Sequence, residues 1–231
     1  MPGKRVAIIQ SSYIPWKGYF DLIRSADHFV LFDDAQYTRR DWRNRNRIKT
    51  AEGLAWLTIP VKSKGLYTAP IRAMEVERAD WPSAHWGVIR RNYSKAKHFE
   101  SIGPAIEDLF ATCADHRLSQ INRHFIEGLC GMLGIRTPLS WSWEYEMAPG
   151  RSERLLSICQ QLGADTYLSG PSAASYLDED LFHRAGVRID YVNYSGYAEY
   201  LQLYPPYESQ VSVVDLLLNV GPDAAAYLKA F

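Results

Sequence analysis

Two short apolar runs open the chain, and each of them ends abruptly in polar residues. Residues 6–9 are followed by a polar loop at 10–17, and residues 29–32 are followed by two aspartates. A helix is predicted to begin at Gly18, between the two runs. Strands of a parallel sheet that is covered on both faces show this unbroken apolar pattern. The pattern therefore predicts a strand, a helix and a second, parallel strand.

The rest of the chain is predicted to alternate between strands and helices, as a parallel sheet requires. Strands are predicted at 54–61, 71–76, 137–144, 166–170 and 187–192, with a hairpin partner for the first of these near 47–49. Helices are predicted after an Asp80 N-cap, at 102–109, at 118–133, from a Ser152 cap to 162, at 213–218 and after an Asp223 cap. The tyrosine-rich segment 194–210 is predicted to be irregular.

These elements predict an α/β fold with a parallel-sheet, Rossmann-like core and a helical insertion. A chain of 231 residues is long enough for one large domain with a well-buried core. We expect a single domain over 1–231, in which the all-helical block 80–134 forms a subdomain or a cap over the sheet.

The balance of charges bears on the class of partner, and the cysteine content bears on the cellular compartment. Lys plus Arg and Asp plus Glu number 26 each, so the chain lacks the overall positive field that attracts nucleic acid. Three scattered cysteines without a CxxC pattern are typical of free thiols in a reducing cytosol. We expect no secretory leader, because the first residues lead directly into a predicted strand, and no run of about 18 apolar residues occurs, so we expect a cytoplasmic protein without a membrane span.

Local charge, in contrast, is concentrated at residues 39–49, which hold five arginines, one lysine and a single aspartate. Guanidinium groups bind phosphate or carboxylate in a bidentate manner, which indicates a small phosphate-bearing partner. Trp42 offers a stacking surface, and Asn44 and Asn46 offer amides that can bind hydroxyl groups. The alternative is an ordinary solvated basic loop.

The position of the site follows from the predicted strands. Ligands of open α/β sheets bind at the carboxyl ends of the strands. The loops after Ile9 and after Phe32 both leave from that edge, so we place the site between them. Asp33 and His85 are the candidates for acid–base catalysis. A turn-forming aspartate and a hydrogen-bonded helix histidine are the alternatives. No metal-binding spacing and no P-loop, GxGxxG, GxSxG or HExxH motif occurs.

The loop 13–19 has the shape of the HxGH loop of nucleotidyltransferases, which also follows a first strand and opens a helix. Trp16 and Tyr19 stand where that motif has its histidines, with Lys17 and Gly18 between them. Gly18 would let a ligand approach the backbone at the positive end of the helix. Alternatively, Gly18 only packs the helix against the strand. The likeness is therefore an indication of a nucleotidyltransferase-like fold.

Several sequence blocks, taken in order, resemble the WbqC-like family. They are residues 10–23, 33–37, 40–46, 56–61, 167–170 and 212–217. The family is bacterial and often associated with O-antigen and other surface polysaccharides, and it has no agreed set of catalytic residues. The resemblance implies transfer of an acyl or aminoacyl group to an amino sugar nucleotide. A non-catalytic nucleotide-sugar-binding protein and a nucleotidyltransferase with an altered HxGH motif are the alternatives.

The predicted site thus has two groups of residues, while the cofactor and the oligomeric state stay open. The catalytic candidates are Asp33 and His85. The ligand-binding candidates are Gln10, Lys17, Gly18, Gln36, Arg40, Trp42, Arg43, Asn44, Arg45 and Asn46. We expect Lys17, Arg43 and Arg45 to hold a diphosphate, and at least one of the two arginines to be needed for binding.

Overall fold

A five-stranded, wholly parallel sheet forms the centre of the protein in the computed structural model, which describes residues 3–231. Its strand order is β5-β2-β1-β6-β7. The strands are β1 (Arg5–Ile9), β2 (His28–Leu31), β5 (Leu139–Trp141), β6 (Thr166–Ser169) and β7 (Arg188–Tyr191). The order confirms the predicted parallel α/β architecture with a Rossmann-like core.

The chain changes direction across the sheet at its central strand. It runs from β1 to β2 and then β5 on one side, and afterwards returns to place β6 and β7 on the other side. Ala7 consequently pairs with Phe29 on one neighbour and with Leu168 on the other. The switch point between β1 and β6 is where ligands of this architecture bind.

Helices cover both faces of the sheet, as the unbroken apolar strands predict. They are α1 (Lys17–Ser25), α2 (Trp81–Tyr93), α3 (Phe99–Ala111), α4 (Leu118–Met132), α5 (Arg151–Gln161), α6 (Glu179–Arg184) and α7 (Val213–Val220). Ala7 and Phe29 belong to one apolar cluster with α1 to α4 and α7. Val6 and Ile8 point to the other face and pack with α5 and α6.

A two-stranded antiparallel hairpin lies outside the main sheet. It consists of β3 (Arg45–Thr50) and β4 (Gly53–Thr58), so the predicted hairpin is present. The predicted strand at 71–76 is wrong, because Ile71–Ala73 forms a 3-10 turn. The N–H groups of Ile71 and Arg72 donate to the loop after β2, which ties this segment to that loop.

Three predicted helix ends differ in detail. Asp80 precedes α2 but caps nothing, because its carboxylate forms an ion pair with Arg78 at 2.5 Å. Ser152 lies inside α5 and accepts a hydrogen bond from the Asp178 N–H. Asp178 itself caps α6, a helix that was not predicted. The last predicted helix is a 3-10 segment, Gly221–Tyr227.

The block 80–134 contains the predicted helices and no strand of either sheet. Its side chains Ile89, Ile121 and Phe125 share the apolar cluster that includes Ala7 and Phe29. The description of this block as a subdomain or cap stays a prediction. Within residues 3–231, no helix has the length and apolar character needed to cross a membrane.

Candidate functional site

A cavity of about 590 Å³ opens at the carboxyl ends of β1 and β6, at the switch point of the sheet. Its lining brings together five separate chain segments, 8–19, 42–46, 167–176, 194–197 and 209–210. The lining residues are Ile8, Ile9, Gln10, Ser12, Pro15, Trp16, Tyr19, Trp42, Arg43, Asn46, Tyr167, Ser169, Gly170, Ser172, Ala173, Tyr176, Tyr194, Tyr197, Ser209 and Gln210. This cavity lies between β1 and β6, whereas the sequence predicts a site between the loops after β1 and β2.

The loop after β1 is held in a strained conformation by one asparagine. Ile14 has a φ of 34°, which is rare for a β-branched residue. The Asn46 side-chain amide donates to the carbonyl oxygens of Tyr13 and Ile14, at 3.0 and 2.9 Å. The Tyr13 N–H donates to the Trp42 carbonyl at 3.0 Å. Asn46 therefore fixes one wall of the cavity by binding the backbone.

Gly18 lies directly against the side chain of Trp16. A Cβ at this position would lie 2.3 Å from Cζ2 of Trp16. The Trp16 indole also packs edge-on against Tyr194, with ring centroids 5.2 Å apart. Gly18 therefore makes room for an aromatic cavity wall, and the indole occupies the space at the start of α1.

Among the described residues that line the cavity, Arg43 is the one that carries a permanent charge. Its side chain is 11% exposed, and its nearest carboxylate, on Asp41, is 3.8 Å from Nε. Nη1 donates to the Ser11 carbonyl at 3.0 Å, while Nε is buried without a hydrogen-bond partner. A fixed guanidinium that is only weakly paired can bind an anionic ligand with little rearrangement.

Hydroxyl groups and aromatic rings make up most of the remaining wall. Ser12, Ser169 and Ser172 can each donate and accept a hydrogen bond. The rings of Trp16, Tyr194 and Tyr197 form a contiguous edge-to-face group, and Trp42 on the opposite loop is 37% exposed. This combination suits a ligand with a planar base and a hydroxyl-rich sugar.

Lys17 lies behind this wall and does not line the cavity. Its ammonium group lies 4.6 Å from the ring centre of Tyr197 and donates to the Ala198 carbonyl and the Tyr207 hydroxyl, at 3.2 and 3.3 Å. Burial lowers its pKa. Asp21, one turn further along α1, accepts hydrogen bonds from the Tyr197 hydroxyl and from the Lys229 N–H. These charges fasten the segment 194–210 to α1.

The two predicted catalytic residues are buried next to the site and do not line the cavity. Asp33 accepts hydrogen bonds from the Ser11 N–H, the Ser11 hydroxyl and the Ser119 hydroxyl at 2.8, 2.7 and 2.5 Å, and burial raises its pKa. His85 Nδ1 is 2.8 Å from the Tyr13 hydroxyl, and burial lowers the pKa of His85 to about 4. Both residues support the loop after β1, and their catalytic roles stay predictions.

The remaining candidates do not line the large cavity. Gln36 donates to the Tyr67 carbonyl at 2.7 Å. Arg40, Asn44 and Arg45 line a smaller recess of about 210 Å³. Of the ten predicted ligand-binding residues, the large cavity therefore brings together Gln10, Trp42, Arg43 and Asn46.

Sequence reasoning missed the second wall of the cavity. Tyr167, Ser169 and Gly170 lie at the end of β6, and Tyr194 and Tyr197 lie in the segment that was described only as irregular. The signal for β6 was present, because 166–170 was predicted as a strand that runs into a glycine. A parallel strand that ends in a glycine places its carboxyl end at the same edge of the sheet as the first two strands, which is where ligands bind.

The cysteines offer no nucleophile to the site. Burial raises the pKa of Cys113, Cys130 and Cys159 to about 12 in each case, so all three are protonated at neutral pH. Within residues 3–231, no group of three or more His, Cys, Asp or Glu side chains is placed to hold a metal ion.

Comparison with known proteins identifies the family. The model of the WbqC-like protein family matches residues 10–227, which is nearly the whole chain and includes every lining residue of the cavity except Ile8 and Ile9. The chain belongs to the WbqC-like protein family. It is also similar to the uncharacterized protein Rv1507c of Mycobacterium tuberculosis, with 48% identity over 226 residues and 98% of each chain covered. No solved structure matches the chain. The function of this WbqC-like chain therefore has to be inferred from the geometry of the cavity.

Proposed function

We propose that this WbqC-like protein is a transferase that binds an amino sugar nucleotide in the large cavity and transfers an acyl or aminoacyl group to the amine of its sugar. The observation that carries the proposal is the position of Arg43, a weakly paired guanidinium in an aromatic and hydroxyl-rich cavity at the switch point of the sheet. The pathway that we expect is the biosynthesis of O-antigen or a related bacterial glycan.

The cavity offers a partner for each part of such a ligand. Arg43 would pair with the diphosphate, because a guanidinium binds phosphate oxygens in a bidentate manner. Trp42 would stack on the base. Ser12 and Ser169 would bind sugar hydroxyls, because a serine can serve as both donor and acceptor.

Catalysis in this proposal rests mainly on positioning. The sugar amine attacks the carbonyl carbon of an acyl or aminoacyl thioester, a C–N bond forms, the C–S bond breaks, and the departing thiolate takes up the proton that the amine loses. A direct transfer of this kind needs no enzyme nucleophile, which agrees with three protonated thiols. Holding the two reactants together can itself lower the barrier by several kcal/mol, roughly 7–11 in favourable cases.

One observation favours a second candidate, a non-catalytic nucleotide-sugar-binding protein. Among the described residues that line the cavity there is no carboxylate, imidazole or thiol that would accept the proton. Such a protein would have the same affinity for the ligand and would leave it chemically unchanged.

The test uses thermal denaturation followed by mass spectrometry. UDP-, dTDP- and GDP-linked amino sugars are each added to the purified protein, and a bound ligand should raise the Tm by mass action. If none of them does, the sugar-nucleotide proposal loses its support. The ligand that binds is then incubated with acyl and aminoacyl thioesters. A mass increase of the sugar supports the transferase, and binding without any product supports the second candidate.

A further inference from the structure

The smaller recess is built from residues that carry opposite charges and yet do not pair with one another. It measures about 210 Å³, and its polar lining consists of Tyr37, Arg39, Arg40, Asn44, Arg45, Thr58, Ser63 and Glu77. Among residues 3–231, Arg39, Arg40, Arg45 and Glu77 take part in no ion pair. Charges of both signs around one recess fit a ligand that satisfies both.

Arg45 is held rigidly at this recess. Its guanidinium carbon lies 4.0 Å from the ring centre of Trp56, and Nη2 donates to the Arg40 carbonyl. Nε is buried and has no partner. A buried donor without a partner is energetically unfavourable, so an anionic ligand that supplies an acceptor would recover that loss.

Asn44 complements this donor with an unused acceptor. The residue is 5% exposed, and its Nδ2 donates to the Ile59 carbonyl at 2.8 Å, which fixes the orientation of the amide. Oδ1 is buried and accepts no hydrogen bond. A ligand that reaches Oδ1 would satisfy it with an N–H or O–H donor, in addition to the negative charge that the arginines attract.

Arg40 provides a third, independent observation. It is a non-glycine residue with a φ of 60°, in the left-handed region that side chains other than glycine disfavour. Such strain is concentrated at functional sites, because the surrounding structure must maintain it. Here the strained residue both lines the recess and supplies the carbonyl that orients Arg45.

We infer that this recess binds a small carboxylate that carries an N–H or O–H donor beside the carboxyl group, the chemistry of an α-amino or α-hydroxy acid. Arg40 and Arg45 bind the carboxylate, and Asn44 Oδ1 accepts from the neighbouring donor. Glu77 distinguishes the two classes, because its carboxylate attracts an ammonium group by charge, whereas a neutral hydroxyl can offer it only a hydrogen bond that a glutamine would also accept. The site is separate from the large cavity and does not depend on the function proposed for it.

Three probes with the same carbon skeleton test this inference by calorimetry on the full chain. L-Alanine carries an amine beside the carboxylate, L-lactate carries a hydroxyl, and propionate carries neither. We expect L-alanine, L-lactate or both to bind with one site per chain, and propionate to bind at least about tenfold more weakly, as expected for a lost hydrogen bond to a buried group. Equal affinity for all three probes, or no binding of any at millimolar concentration, would overturn the inference.

Variants of the chain separate binding from folding. Arg40→Gly removes one guanidinium and relieves the backbone strain, so it should keep or raise the Tm and weaken binding about tenfold or more. Arg45→Gln should weaken binding as well. Arg47→Gln is the matched control, because Arg47 also stacks on Trp56 and has a buried, unpaired Nε but does not line the recess. Unchanged affinity in both Arg40→Gly and Arg45→Gln would remove the ligand from this site.

Two more variants identify the ligand class and test whether the recess binds its ligand independently of the large cavity. If Glu77→Gln weakens L-alanine and leaves L-lactate unchanged, the ligand is an amino acid. If it affects neither, the ligand is a hydroxy acid. Arg43→Ala should not change the affinity for either probe, so a failure of sugar-nucleotide binding would leave this inference intact. A loss of L-alanine and L-lactate binding in Arg43→Ala would contradict the existence of a separate site.

Discussion

The Arg43 side chain is the group that we expect to bind the phosphates of the proposed ligand. Arg43→Ala should weaken sugar-nucleotide binding by about 1.5–3 kcal/mol, the range for charge-assisted hydrogen bonds. Arg43→Lys should restore only part of that loss, because an ammonium group cannot reproduce a planar fork. Calorimetry on the folded variants measures both effects.

The control for this prediction is Arg45→Ala. Both arginines were predicted to hold the diphosphate, but Arg45 lines the smaller recess and stacks on Trp56. Its removal should leave sugar-nucleotide affinity unchanged. Equal affinity in Arg43→Ala and the parent protein would place the ligand elsewhere.

Asn46 was predicted to bind a sugar, whereas its amide is used entirely by the backbone. Asn46→Ala should lower the free energy of unfolding by about 1–3 kcal/mol, because two buried carbonyl groups lose their donor. Urea denaturation measures this change. Asn92→Ala, which removes a single bond within α2, should change the stability by less than about 0.5 kcal/mol. A stable Asn46→Ala protein that had lost only ligand affinity would restore the original interpretation.

Two buried groups should give opposite pH dependences of stability. Burial raises the pKa of Asp21 to about 6 and lowers that of His85 to about 4. Between about pH 4 and 6, Asp21 is ionised in the unfolded chain and protonated in the folded one, so its effect lowers stability as pH rises. Between about pH 4 and 6.5, His85 is charged only in the unfolded chain, so its effect lowers stability as pH falls.

The two effects can be separated by substitution. Asp21→Asn should make the free energy of unfolding rise more steeply from pH 4 to 6.5, and His85→Gln should make it rise less steeply or fall. Each substitution should alter the change in unfolding free energy between pH 4 and 6.5 by at most about 3 kcal/mol. Denaturant titrations at several pH values measure the slopes. If both variants retained the slope of the parent, neither group would have a shifted pKa.

Helix α1 depends on a glycine that accommodates a neighbouring indole. Gly18→Ala should displace Trp16, lower stability by about 1–3 kcal/mol and weaken ligand binding, because a cavity wall moves. Gly87→Ala in α2 is the matched control, since nothing lies within 4 Å of its new methyl group. It should raise stability by about 0.5–1 kcal/mol. If Gly87→Ala lost more stability than Gly18→Ala, the space needed by the Trp16 indole would not explain the glycine at position 18.

Most secondary-structure elements could be predicted from the sequence because their patterns are local. The central strands are continuous apolar runs, and α4 combines a helical apolar face with Gly134 at its end, in the left-handed region at φ 68°. The predicted strand at 71–76 failed because the hydrogen bonds of Ile71 and Arg72 go to residues near 35, which no local pattern reveals. Helix α6 was missed because six residues are too few to show a clear period.

The site was less predictable because its parts meet only through the topology. The basic segment was found from its composition, but composition does not show that Arg43 and Arg45 line different recesses. The choice between the two neighbours of β1 required the strand order. That order depends on pairing between residues more than a hundred positions apart, such as Ala7 and Leu168.

The attachment of α1 to the last part of the chain has a consequence for the order of synthesis. Lys17 bonds to Ala198, 181 positions later, and Asp21 bonds to Lys229, 208 positions later. Until those residues leave the ribosome, two charged groups and one aromatic wall of the cavity have no partners. We therefore expect ribosome-bound chains that end at residue 193 to be cleaved by protease within α1, and full-length chains to resist. The ligand cavity would then be among the last parts of the molecule to form.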